Sequence, residues 1–267
     1  MGRIAECFAA LRARDERALV PFVTAGDPDL TTTEALVPAL AEAGADAVEI
    51  GVPFSDPMAE GPTIQRASER ALASGTSLRR VLELVKTLRP RVDLPLVLMG
   101  YANTFLSMGE RRFAEASREV GVDGVICVDM PPEEGELFRG ELERCGVDAI
   151  LLAAPTTTPE RLAMLARQTR GFLYYVSLTG VTGARRELAQ GIEEQVRRVR
   201  ETSEIPVCVG FGVSKPEHVL RMGAFADGVV VGSALIERIA AAASPEDAVD
   251  AATRFVAELK EPLRVAG

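Results

Sequence analysis

The chain predicts an α/β fold, a single (β/α)8 TIM barrel spanning residues 1–267 with one additional N-terminal helix. Three observations carry that prediction. Eight apolar runs of about four to six residues alternate with helical stretches, and their near-continuous hydrophobicity suits parallel strands covered on both faces. Four of them, GADAVEIG, GVDGVICVD, GVDAILLAA and FADGVVVG, place a small turn and an aspartate just before the strand, as if one αβ connection were reused. The rival, a doubly wound open sheet, wants a glycine-rich phosphate loop after its first strand, and GDPDLTT is not GxGxxG.

The elements follow in order. MGRIAECFAALRARDE reads as an amphipathic helix and Ala18 to Ala25 as the first strand, after which GDPDLTT supplies Asp and Thr caps for a helix from Thr33 to Ala43. Ala47 to Ile50 is the second strand, followed by helices Thr63 to Ser74 and Ser77 to Leu88. Leu94 to Met99, Gly124 to Asp129, Ala149 to Ala154 and Phe172 to Ser177 are the next four strands, separated by helices Glu110 to Val120, Pro132 to Arg144 and Pro159 to Arg170. After the GVTGARREL loop come helix Ile192 to Thr202, strand Pro206 to Gly210, the helical SKPEHVLRM and strand Gly228 to Gly232. Helix Pro245 to Leu263 closes the chain.

Composition excludes several classes of function. The 267 residues are 47% hydrophobic, enough for a large core, and the formal net charge of −9 without a basic cluster argues against a nucleic-acid partner. Cys7, Cys127, Cys145 and Cys208 form no CxxC pair and suit reduced thiols. No apolar run approaches a membrane span and no signal-peptide core leads the chain, so a cytoplasmic protein is expected. One histidine, His218, rules out a histidine-based metal site, and of three lysines only Lys215 falls near a strand end, which disfavours a Schiff base.

Active sites of such barrels lie where the strands end in the loops that follow them. The strand-end residues are Phe22 and Thr24, Glu49, Tyr101 and Asn103, Asp129, Thr156 and Tyr174, then the small-residue turns GVTG, GFG and GS. Glu49 is a lone acid in an apolar strand, costly unless it has chemistry or a partner; the alternative reading is a strand-end acid capping a neighbouring loop. Burial is expected to raise its pKa. The loop after it is fixed by Gly51, Pro53, Pro57, Gly61 and Pro62 and carries Ser55, Asp56 and Glu60, so two carboxylates are expected to face a common space. Gly180 to Gly183, Gly210 to Gly212, and Gly232 with Ser233 can bring bare backbone N–H groups together as a phosphate nest. Phe22, Met99, Ile126 and Tyr174 are available to flank a flat ring. A substrate with a phosphate at one end and an aromatic group at the other, handled by carboxylate acid–base chemistry, fits these residues.

The strings PFVTAGDP, VEIGVPFSDPMAEGPTIQRA, YANTF, DGVICVDMPPEE, YYVSLTGVTGAR, VGFGVSKPEHV and DGVVVGSALIE together resemble the tryptophan synthase alpha subunit family over nearly the whole chain. The resemblance implies retro-aldol cleavage of indole-3-glycerol phosphate to indole and glyceraldehyde 3-phosphate, with neither cofactor nor metal. It implies Glu49 as the general acid–base group and Glu60 as the carboxylate serving the indole N–H. It further implies substrate contacts at Phe22, Tyr101, Tyr174, Thr182, Gly183, Gly212, Gly232 and Ser233. The same resemblance points to docking of a beta subunit in an α2β2 complex through Asp56, Pro57 and Asn103. Position 60 departs from the family's usual Asp: the extra methylene of Glu60 moves the carboxylate by about 1 to 1.5 Å unless the loop adjusts, a displacement of the size that can cost on the order of a hundredfold in rate. Two further readings stay open, a stand-alone indole-producing lyase and a non-catalytic activator of a beta subunit.

Overall fold

The computed structural model describes residues 2–176, 185–210 and 212–264, with backbone alone for 185–190. Eight strands, β1 (Ala18–Thr24), β2 (Val48–Gly51), β3 (Leu96–Gly100), β4 (Gly124–Cys127), β5 (Asp148–Ala153), β6 (Leu173–Val176), β7 (Val207–Gly210) and β8 (Gly228–Val231), pair in parallel with their sequence neighbours. β8 returns to β1, with Leu19 opposite Val229, and closes the barrel. Around it run α1 (Arg3–Ala13), α2 (Leu30–Glu42), α3 (Pro62–Ala73), α4 (Leu78–Leu88), α5 (Ala102–Leu106) and α6 (Glu110–Val120). The second half adds α7 (Glu136–Arg144), α8 (Pro159–Gln168), α9 (Arg185–Thr202), α10 (Pro216–Gly223), α11 (Ser233–Ala241) and α12 (Pro245–Lys260).

Several element boundaries differ from the sequence reading, two of them for a clear local reason. α2 starts three residues earlier than expected because Asp29 caps it, accepting from Thr32 N at 2.7 Å. α7 starts at Glu136 rather than Pro132, since Gly135 N donates to Pro131 O in a turn that the two prolines begin. α12 ends at Lys260, and Glu261–Leu263 tightens into a 3-10 turn. α9 begins at Arg185, seven residues before the expected start. Two helices, α5 and α11, have no counterpart in the sequence reading.

The barrel interior is packed, and its lower mouth is plugged. Ala18, Val20, Ala47, Val97, Ile126, Ile150, Phe172, Tyr174, Cys208 and Val230 face inward and form one buried cluster with Ile4, Phe8 and Leu11 of α1. Phe8 meets Phe172 with ring centroids 5.9 Å apart. Gly124 leaves room for Ile4 of the same helix, because a Cβ there would stand 2.9 Å from Ile4 Cδ1. The additional helix therefore seals the end of the barrel opposite the catalytic loops and leaves the upper mouth as the way in.

The recurring aspartates have a common bonding role. Asp46, Asp123 and Asp227 each donate their N–H to the carbonyl of a residue near the start of the preceding strand, Leu19, Leu96 and Val207 respectively. Each carboxylate then accepts the N–H of that same residue, at 2.7, 2.8 and 3.0 Å. The side chain thus satisfies a strand-start donor that the ladder leaves over. Asp148, before β5, keeps only the backbone half of the pattern among the described residues, its N–H donating to Asp123 O; before β6 the side-chain role falls to Thr169, whose Oγ1 accepts Leu151 N at 3.0 Å. Asp227→Ala leaves the Val207 N–H unpaired and is expected to cost about 1–3 kcal/mol. Thermal melts should show Tm lowered by about 2 to 4 °C per kcal/mol.

Candidate active site

Glu49 lies in β2 opposite Phe22 of β1 and Val97 of β3. Strand alternation puts it on the same face as Ala47, which belongs to the interior cluster, so its side chain points into the barrel. It is fully buried, and neither carboxylate oxygen has a hydrogen-bond partner among the described residues. Burial alone pushes its pKa up to about 8. A loop-capping acid would hold a donor at one of its oxygens, and none of the described residues supplies one. The charge of Glu49 also reaches its interior neighbours: the Tyr174 hydroxyl and the Cys208 thiol are held well above their usual values, first by burial and then by Glu49.

Glu60 sits half-buried on the loop between β2 and α3. Burial, and to a lesser degree the Asp129 charge, raise its carboxyl to about 7 against a hydrogen bond from its own backbone. It accepts a hydrogen bond from the Tyr101 hydroxyl. A small enclosed space above β2 is lined by Glu60, Phe22, Thr24, Gly51, Ile64 and Tyr101 among others. Glu49 does not line it; the acid sits one inward-facing step deeper on the strand that contributes Gly51. The shared space expected for the two carboxylates is therefore a stepped one, with Glu49 below and Glu60 at the rim.

Several other expected residues fall at the same end of the barrel. Phe22 is buried, and its ring lies where a Cβ on Gly51 would stand 2.5 Å from Cζ. Tyr174 packs against Gly210 in the same way, with its hydroxyl 2.5 Å from the position of an added Cβ. Gly212 adopts φ +51°, a conformation that favours glycine in the turn after β7. Gly232 precedes α11 as an N-cap without side-chain capping, and Ser233 is the first residue of that helix, so the helix dipole opens toward the mouth. Thr182 and Gly183 lie outside the described residues. Ile126, expected beside a ring, is instead wholly buried in the interior cluster, while Met99 does line the space near Glu60.

Asp56 is exposed on the loop after β2 and Asn103 is exposed in α5, which follows β3, while Pro57 is half-buried and Met58 83% exposed beside Asp56. Sequence reasoning missed Phe54, which stacks on Tyr101 at 4.9 Å, and Ile64 and Ser68, which wall the space from α3. The one available signal was their four-residue spacing at the start of a helix that follows a catalytic loop. Lys215 caps α10, and the exposed His218 is bonded through its side chain, among the described residues, to Ser214 alone, its Nδ1 accepting Ser214 N at 3.4 Å. Among the described residues, no group of three His, Cys, Asp or Glu side chains is placed to hold a metal ion.

Comparison with known proteins agrees with this geometry. The family model for the tryptophan synthase alpha chain matches residues 8–264. The chain belongs to that family. The tryptophan synthase alpha chain of Geobacter sulfurreducens is 51% identical over 263 residues, covering 98% of this chain and 99% of the relative. That of Acidithiobacillus ferrooxidans is 50% identical over 268 residues, covering 99% and 97%. Among solved structures, the alpha subunit from Legionella pneumophila superposes with a TM-score of 0.90 at 38% identity, covering 98% of each chain. A Mycobacterium tuberculosis tryptophan synthase structure gives 0.90 at 37% identity and covers 99% of each. Among the described residues of this alpha chain, no helix is long and apolar enough to cross a membrane.

Proposed function

We propose that this alpha chain cleaves indole-3-glycerol phosphate to indole and glyceraldehyde 3-phosphate by carboxylate acid–base chemistry. The observation that carries the reading is Glu49, buried inside the barrel with neither oxygen partnered among the described residues. A carboxyl raised to about 8 is mostly protonated at neutral pH and can give its proton to indole C3. The protonated ring becomes an electron sink. Glu49, now ionised, takes the proton of the hydroxyl on the adjacent side-chain carbon; the C–O pair collapses to a carbonyl, the carbon–carbon bond breaks, and its electrons restore the indole. Glu49 ends the cycle protonated as it began. Glu60, at about 7, is ionised in a large fraction of molecules and accepts the indole N–H, which gains positive character once C3 is protonated.

Phe22, Tyr101 and Tyr174 would flank the ring. Gly212, Gly232 and Ser233, together with Thr182 and Gly183, would hold the phosphate, helped by the α11 N-terminus. The exposed loop carrying Asp56, Pro57 and Met58, with Asn103 beside it, is the surface for a beta subunit in an α2β2 assembly.

The test is indole release from indole-3-glycerol phosphate by purified protein, with and without a beta subunit. Release that the partner accelerates supports the reading; high release alone favours an independent lyase; none in either case leaves only an activator. In the same assay Glu60→Gln, which keeps the shape and removes the charge, is expected to lower kcat by on the order of a hundredfold.

A further inference from the structure

Glu60 does not hang free at the rim of the site. Its carboxylate accepts from Tyr101, and the hydroxyl oxygen of Tyr101 in turn accepts the Ala59 N–H at 2.9 Å. A backbone N–H can only donate, so the single proton of the Tyr101 hydroxyl is left for Glu60. The ring is fixed on its other side, stacked on Phe54 at 4.9 Å with an interplanar angle of 25°, and the residue is 3% exposed. Gln65 Nε2 holds the carbonyl of Glu60 at 3.0 Å, which pins the backbone as well. The loop from Phe54 to Glu60 is therefore stapled to one tyrosine at both ends.

We propose that Tyr101 is a positioning residue for Glu60, its hydroxyl setting where the longer side chain delivers its carboxylate and thereby taking up the extra methylene at position 60. The inference rests on the reading of Glu60 as the carboxylate that serves the indole N–H. A hydrogen bond to a charged group, broken without moving the ring, corresponds to about a tenfold to hundredfold change. Tyr101→Phe retains the stack on Phe54 and removes only the hydroxyl.

The experiment compares the wild type, Tyr101→Phe, Glu60→Gln and the double variant in steady-state cleavage of indole-3-glycerol phosphate across pH. Positioning predicts that Tyr101→Phe lowers kcat about tenfold or more with KM nearly unchanged. It also moves the rising limb of the pH profile to higher pH, since the lost donor favoured the ionised carboxylate. In the Glu60→Gln background the same substitution should change kcat less than about twofold, because the group it positions no longer acts. A Tyr101→Phe enzyme with wild-type kcat and an unmoved limb overturns the proposal, as does a loss confined to KM, which would make Tyr101 a binding residue only. If Glu60→Gln itself keeps full kcat, the role of Glu60 is what has failed, and the two failures are distinguished.

Discussion

Replacing Glu49 with glutamine is expected to slow indole release by about a hundredfold to ten-thousandfold, the usual contribution of a positioned general acid–base group. Glutamine fills the same volume and cannot exchange a proton. The residue is fully buried and its carboxylate has no partner among the described residues, so the substitution breaks no hydrogen bond and leaves the surrounding packing of Phe22, Val97 and Tyr174 in place. Loss of rate with a preserved circular dichroism spectrum and preserved binding of the substrate phosphate would place the defect in proton transfer. Full rate would remove the mechanism.

The same carboxyl is expected to make the native state lose stability as pH rises. The folded value of about 8 lies above the ordinary value of 4.5, so between those limits the unfolded chain has released a proton that the folded chain retains. Fewer protons on the unfolded state means that its free energy falls, relative to the native state, with each step up in pH. The cost is absent below about pH 4.5 and complete above about pH 8, and it amounts to on the order of 5 kcal/mol. Urea unfolding of the wild type and Glu49→Gln at about pH 5 and about pH 8.5 checks it. The wild type should lose several kcal/mol relative to the variant over that interval; parallel pH profiles would show that the buried acid does not hold its proton. Such a penalty is what a site kept for chemistry carries, since an apolar side chain would fill the same place without it.

The strands were legible because parallel strands buried on both faces leave continuous apolar runs, as LPLVLM and AILLAA do. The repeated aspartate was visible as a pattern, but its bond to the neighbouring strand depends on which strand lies beside it. α5, at five residues, is too short to display a period, and α11 begins at a glycine rather than at a capping side chain, so neither announced itself. Within the site, Glu49 stood out as a lone acid in a strand. The link from Tyr101 to Glu60 joins residues 41 positions apart through a loop whose path the prolines constrain without specifying. Phe54 was hidden for the same reason, because its partner ring lies on the next strand's loop.

Two carboxyls are lifted to about 7 and about 8, Glu60 acting as the base and Glu49 as the acid. The pH dependence of kcat/KM for cleavage of indole-3-glycerol phosphate reads both in the free enzyme. The expected profile is a narrow bell, rising near 7 as Glu60 ionises and falling near 8 as Glu49 loses its proton. A rate that stays flat across this range would contradict it.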